Sequence, residues 1–183
     1  KEIQDQQTYF PEKKINRRKG IPMKRAIYPG SFDPITYGHL DIVKRAAETY
    51  DKVYLAVMIN DQKKYLFSIE QREKIAELAI DDIANVEVIS STGMLWKLAE
   101  DLGADAIVKG YRNQVDYEYE QKMTCFNSEH NPNAKTVLLK ATEGLEDFSS
   151  TAVRECIRSG NSIEKYMPPK AAEEVLRIIL QQK

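Results

Sequence analysis

Long apolar runs are missing from this chain: none approaches a membrane span, and no hydrophobic signal segment precedes the first strand-like stretch. A membrane partner is therefore not expected. Cysteine is scarce, with only Cys125 and Cys156, too few for a disulfide framework, so a cytoplasmic location is expected. The two histidines, His39 and His130, do not combine with these cysteines at the spacing of a zinc site, and no protein-held metal is expected. Charge of one sign is also lacking. The 27 Lys and Arg against 28 Asp and Glu leave a net charge of -1, without the basic footprint of a nucleic-acid partner. What remains is a chain of 183 residues, 42% hydrophobic and 30% charged, able to bury one sizeable core.

The first 23 residues differ from the rest. They are rich in Lys, Glu and Gln, lack sustained periodicity, and carry Lys13-Lys14 and Arg17-Arg18-Lys19 with two prolines. Residues 1–23 read as a flexible extension, a tag remnant or the end of a preceding module, with Met23 a candidate native start. Residues 24–183 form the expected domain.

From Lys24 onward, apolar runs alternate with helical patterns. Strands are expected at Arg25–Tyr28, Lys52–Ile59, Val86–Ile89, Ala106–Gly110 and Thr136–Leu139. Between them, helical spacing covers Leu40–Ala47, a stretch opened by a Ser68-to-Gln71 capping box, Met94–Leu102 and Asp116–Phe126. A further helix follows Ser149 or Ser150, and Pro168-Pro169 precedes an amphipathic one over Ala171–Leu180. This alternation predicts an α/β fold: a Rossmann-like doubly wound sheet of mainly parallel strands with helices on both faces. Ligands then bind outside the carboxyl ends of the strands.

The chemistry concentrates in Tyr28-Pro29-Gly30-Ser31-Phe32-Asp33-Pro34-Ile35-Thr36-Tyr37-Gly38-His39. A strand exit meets a tight turn, in which Gly30 is suited to a positive φ, and then a helix start. The unpaired amides and dipole of that helix favour an anion. Thr36 and His39, three apart, share one helical face, with Ser31 on the facing turn. A lone histidine is more often structural than catalytic; the combination points to a nucleotide phosphate site.

The GSFDP segment and Thr36-Tyr37-Gly38-His39 resemble the (T/H)xGH signature of the nucleotidyltransferase superfamily, and in particular the phosphopantetheine adenylyltransferase family. The order of motifs follows that family from Lys24 to about Leu180. Lys109-Gly110-Tyr111-Arg112 with Asp116-Tyr117-Glu118-Tyr119-Glu120 is similar to its RGLR segment and D(F/Y)EYE helix. Ser149-Ser150-Thr151-Ala152-Val153-Arg154-Glu155 is similar to its ISSTxVRE element.

The resemblance implies that the phosphate of 4'-phosphopantetheine attacks the α-phosphorus of ATP, giving dephospho-coenzyme A and pyrophosphate. His39 would stabilise the pentavalent transition state, Thr36 and Ser31 would orient phosphate and acceptor, and Lys63 and Arg112 would neutralise the transferring and leaving groups. Phe32, Gly110, Glu120, Ser149, Ser150 and Thr151 complete the implied ATP site, Glu120 at the ribose. Lys109, Met94, Leu95 and Asn127 belong to the acceptor side. Mg²⁺ is implied as the companion of ATP, and a homohexamer as the assembly. An anionic nucleophile needs no strong base, so positioning and charge stabilisation can carry the rate.

Two departures bear on specificity. Lys109 stands where the family has arginine, keeping the charge without the bidentate fork. Glu143-Gly144-Leu145-Glu146-Asp147 replaces aromatic and serine residues, and Phe148 an isoleucine. A nucleotidyltransferase with another phosphorylated acceptor or CTP, and a catalytically silent nucleotide-binding module, are the competing readings. Simpler alternatives also stand: Lys63 and Lys64 as solvated surface, Glu118 and Glu120 as an exposed helix face, and one serine of 149–151 as a plain N-cap. Trp96, Leu95 and Leu98 fit helix packing on the sheet, Cys156 fits packing, and His130 fits a surface position.

Overall fold

The computed structural model describes residues 22–60 and 62–181. The extension expected over 1–23 thus lies, but for its last two residues, outside the described part of the chain. Five strands form one sheet: β1 Arg25–Gly30, β2 Lys52–Met58, β3 Val86–Ser91, β4 Ala106–Tyr111 and β5 Lys135–Lys140. Their order is β3-β2-β1-β4-β5, and every pairing is parallel. The helices are α1 Tyr37–Thr49, α2 Ile69–Ala79, α3 Leu95–Asp101, α4 Gln114–His130, α5 Ser150–Ser159 and α6 Pro169–Gln181, with a short 3-10 turn at Glu164–Tyr166. The doubly wound α/β architecture expected from the alternation is the one observed.

Side-chain alternation explains why both faces are covered. Ala26 and Tyr28 of β1, Val53, Leu55 and Val57 of β2, and Val108 of β4 enter one core layer with Leu40, Val43, Ile75, Val153, Val175 and Ile178 from α1, α2, α5 and α6. Ile27, Ala56 and Ile107, one residue out of phase, enter a smaller layer with Ile89, Ala99 and Ala104, against which Leu95 and Leu98 of α3 pack. Full burial of each such aliphatic side chain stabilises by roughly 1.5–3 kcal/mol, so the two layers dominate the fold's energetics. Ser68 and Gln71 form the expected capping box at α2, Asn113 caps α4 through Asp116 N at 2.9 Å, and Ser149 rather than Ser150 caps α5.

The chain leaves β1 toward the β2–β3 edge and later crosses back to β4. The adjacency of β1 and β4 is the topological switch point, where the loops part and open a crevice at the carboxyl ends.

Candidate active site

A cavity of about 520 Å³ occupies that crevice. Tyr28 of β1 and Gly110 and Tyr111 of β4 line it, with His39 at the start of α1, Arg112 just before α4, Asp116 and Glu120 on α4, and Ser149, Ser150 and Thr151 at the start of α5. Two helix N-termini thus open onto one space, which favours an anion.

The turn before α1 departs from one expectation. Gly30 does not hold the positive φ; the left-handed residue is Phe32, at φ 45°. What Gly30 supplies is room, since a Cβ there would lie 2.7 Å from Phe32 Cζ. The buried Phe32 ring fits edge-on between Tyr28, at 5.4 Å, and His39, at 5.2 Å. Phe32 therefore walls the histidine rather than lining the cavity.

His39 is fixed by its own helix cap. Its Nδ1 accepts from Thr36 N at 3.0 Å and lies 2.9 Å from Thr36 Oγ1. A backbone N–H can only donate, so Nδ1 is the unprotonated nitrogen and the proton resides on Nε2, the edge left for the cavity. Burial, reinforced by the charge of Arg112, lowers the pKa to about 4. At neutral pH the ring is an uncharged donor. Burial also pushes the Tyr28 phenol well above its ordinary value, aided by the charges of Glu120 and Asp41, so it stays protonated in the cavity wall.

Hydrogen bonds to main-chain carbonyls, with one longer ion pair between Arg154 and Asp33 at 3.8 Å, strap this turn to the start of α5. Thr36 Oγ1 donates to Phe148 O at 2.6 Å, and Ser150 Oγ to Pro34 O at 2.8 Å. Arg154 Nη1 donates to Asp33 O at 2.6 Å, and the Asp33 carboxylate accepts from Leu66 N and Phe67 N at 2.9 and 3.0 Å. Gly38 is required by the same approach: a Cβ would lie 2.5 Å from Phe148 O.

The cations behave differently. Lys109 Nζ lies 3.2 Å from Glu120 Oε2, an ion pair whose geometry does not make a directed hydrogen bond, since that buried oxygen has no hydrogen-bond partner. Arg112 Nε donates to Asp116 Oδ2 at 2.9 Å. Lys63 is exposed on the loop after β2, its N–H closing a turn onto Asn60 O at 2.9 Å, and does not line the cavity.

Of the residues singled out in the sequence, His39, Gly110, Arg112, Glu120, Ser149, Ser150 and Thr151 gather around the cavity. Thr36 and Phe32 stand behind His39. Met94 is exposed at the start of α3, Leu95 packs in the smaller core layer, and Asn127 is buried on α4; none of the three lines this cavity. The acidic stretch is turned away from it. Glu146 Oε2 accepts from Gly144 N at 2.7 Å, Glu143 and Asp147 are exposed, and only the apolar Leu145 and Phe148 face the space. His130 is exposed as expected, stacked on Phe126 at 4.3 Å and near Trp96 at 5.4 Å. Sequence reasoning missed Asp116 as the partner of Arg112, and Ile42, Val115 and Tyr119 as apolar cavity wall. Tyr119, four residues beyond Val115 on the same helix, was the available signal.

Residues 27–156 match the cytidylyltransferase-like family. The chain is 41% identical to the phosphopantetheine adenylyltransferase of Caldanaerobacter subterraneus subsp. tengcongensis over 84% of this chain and 96% of that one. It is 39% identical to the enzyme of that name from Lactobacillus helveticus, over 85% and 95% of the two chains. Among solved structures, a putative nicotinate-nucleotide adenylyltransferase from Vibrio parahaemolyticus shares the fold, with a TM-score of 0.69 at 21% identity over 88% of this chain and 97% of that chain. On the strength of the sequence matches, the chain belongs to the cytidylyltransferase-like family and, within it, to the phosphopantetheine adenylyltransferases.

Proposed function

We infer that this chain is a nucleotidyltransferase that moves AMP from ATP to 4'-phosphopantetheine, releasing pyrophosphate and forming dephospho-coenzyme A in coenzyme A biosynthesis. The observation that carries the reading is the neutral His39, its Nε2–H kept for a cavity onto which the N-termini of α1 and α5 open. The acceptor phosphate is already an anion, so the site has to align it with the α-phosphorus and stabilise charge on the equatorial oxygens. An uncharged Nε2–H donates to such an oxygen without a proton having to be exchanged first. The first turns of α1 and α5 and the Ser149 and Thr151 hydroxyls supply further donors, while the Ser150 hydroxyl proton stays on Pro34 O. Arg112 and Lys63 would take the charge of the leaving pyrophosphate, and Lys109 that of the acceptor.

Among the described residues no three His, Cys, Asp or Glu side chains cluster as a metal cage. Mg²⁺ in this reading arrives with ATP, held by phosphate oxygens and water. It would supply charge neutralisation on the triphosphate. The assembly is a homohexamer in this reading, supported by Val115, Tyr119, Met123 and Phe126, large apolar residues exposed along α4 beside the edge strand β5. Light scattering on the purified protein tests it. No helix among the described residues is long and apolar enough to cross a membrane, and the cytoplasm is the proposed compartment. No nucleic-acid partner enters the reading.

The test is pyrophosphate release from ATP, Mg²⁺ and 4'-phosphopantetheine, with a panel of other phosphorylated acceptors and CTP alongside. Turnover with ATP and phosphopantetheine that His39→Ala abolishes supports the reading. Turnover only with another acceptor or nucleotide replaces it, and silence with every pair leaves a binding role.

A further inference from the structure

Arg72 of α2 is the largest fully buried side chain in the described structure, at 2% exposure. It makes no ion pair among the described residues, and its Nε has no hydrogen-bond partner. Its Nη1 donates to Ser31 O at 2.7 Å and Met58 O at 3.2 Å, and its guanidinium lies 4.0 Å above the ring centre of Tyr65. Burying a cation against neutral carbonyls alone is unfavourable, and an apolar side chain of similar size would fill the same space without that penalty. The position explains its use. Ser31 and Met58 stand at the carboxyl ends of β1 and β2, so one planar group fixes the spacing between the phosphate-binding turn and the start of the Lys63 loop. Tyr65 closes that loop from the other side, its Oη accepting from Asn60 N at 2.8 Å, while Asn60 O accepts from Lys63 N. Ser31, Arg72, Tyr65, Asn60 and Lys63 thus form one continuous chain of contacts.

We propose that Arg72 is a positioning residue that locks the Lys63 loop to the Ser31 turn and so holds Lys63 in register with the transferring phosphates. This rests on the reading of Lys63 as a phosphate ligand given above. Lysine at this position keeps the charge but cannot at once bridge two carbonyls and lie flat on the Tyr65 ring. Tyr65→Phe keeps the ring under Arg72 and removes only the hydroxyl's two bonds to Asn60, from its N–H at 2.8 Å and to its carbonyl at 3.4 Å.

Two measurements test it on Arg72→Lys and Tyr65→Phe in the full chain. The first is amide hydrogen exchange of the ligand-free proteins, which does not depend on turnover. Exchange at Asn60 and Lys63 should accelerate at least tenfold in both variants, while the amides of β1 and β4 keep their protection. The second is steady-state pyrophosphate release with ATP and 4'-phosphopantetheine in a cycle with Lys63→Ala. Arg72→Lys should lower kcat more than tenfold with KM for ATP within threefold, and Lys63→Ala should cost less in the Arg72→Lys background than in wild type.

Unchanged exchange at Asn60 and Lys63 overturns the proposal, as does a cycle in which the two effects multiply. A wild-type protein inactive with this substrate pair counts against the activity instead, and the exchange result then decides the positioning role by itself. Should Arg72→Lys fail to fold, Tyr65→Phe carries both measurements.

Discussion

The two sides of the cleft differ in the contacts that mainly hold them. On the side of α1 and α5, Thr36, Ser150 and Arg154 donate to main-chain carbonyls across more than 110 residues of sequence, at 2.6 to 2.8 Å, and the one ion pair there, Arg154 with Asp33 at 3.8 Å, uses a carboxylate buried behind the turn. On the side of β4 and α4, the cations rest on carboxylates, Lys109 on Glu120 and Arg112 on Asp116. Carbonyl contacts have no ligand to compete with them, whereas a phosphate competes directly with a carboxylate for the same cation. On the proposed function, the first side is therefore set before substrate arrives, and the second exchanges partners when it does. A group that must stabilise a transition state belongs on the first side, where no reorganisation accompanies the reaction, and His39 is there.

The largest effect expected from breaking this arrangement is on the rigid side. His39→Ala removes the donor and leaves the cation set intact, so kcat should fall on the order of 10²- to 10³-fold, about 3–4 kcal/mol. ATP affinity, by calorimetry, should change less than fivefold. An equal loss in both would make His39 a binding group and erase the distinction between the two sides.

Next in size is the pH dependence of stability. The folded pKa of His39 lies near 4, below the ordinary 6.5, so as pH falls the unfolded chain takes up the proton first. The neutral ring's contribution is fully present above about pH 6.5 and is lost progressively as pH falls toward 4, by roughly 3 kcal/mol at most. The difference in Tm between wild type and His39→Gln should stay constant from pH 7 to 8 and shift against wild type below 6.5. A constant difference down to pH 4 would mean that the ring titrates like an exposed histidine.

Gly38→Ala probes the strap itself. A Cβ 2.5 Å from Phe148 O forces the two segments apart, with a cost of about 1–3 kcal/mol. It should lower Tm by several degrees and reduce kcat through His39, whose cap includes Thr36. Loss of Tm with unchanged kcat would separate the strap from the chemistry.

The sequence made the rigid elements readable and hid what joins them. Strand runs such as Val53 to Val57 and the capping box at Ser68 are local patterns, and they appear where the periodicity puts them. The Thr36-to-His39 cap is equally local, four consecutive residues. Arg72 was not legible, because it follows Glu70 and Gln71 and precedes Glu73 and Lys74 in what reads as a polar face; only the docking of α2 at the strand ends buries it. Nor could the sequence show that Glu146 turns back onto Gly144 N, or that Asp33 and Arg154 meet across 121 residues. The positive φ expected at Gly30 falls on Phe32, since the ring's burial between Tyr28 and His39 outweighs the backbone preference.

The smallest expected effect lies on the exchangeable side and bears on the acceptor. Lys109 and Glu120 are both about one-fifth exposed or less, so their attraction is screened less than that of a surface pair, and a phosphate reaching Lys109 must displace a carboxylate. Glu120→Gln removes that competitor. KM for the phosphorylated acceptor should then fall two- to fivefold, about 0.4–1 kcal/mol, while the adenosine side loses whatever Glu120 contributes there. Lys109→Arg acts in the opposite sense on the free protein, because a fork grips Glu120 as readily as it grips phosphate. Its net effect on acceptor KM should therefore be smaller than that of Lys109→Ala and should turn favourable once Glu120→Gln is also present. If Glu120→Gln leaves acceptor KM unchanged while raising ATP KM, the carboxylate serves the nucleotide alone, and Lys109 meets its phosphate without competition.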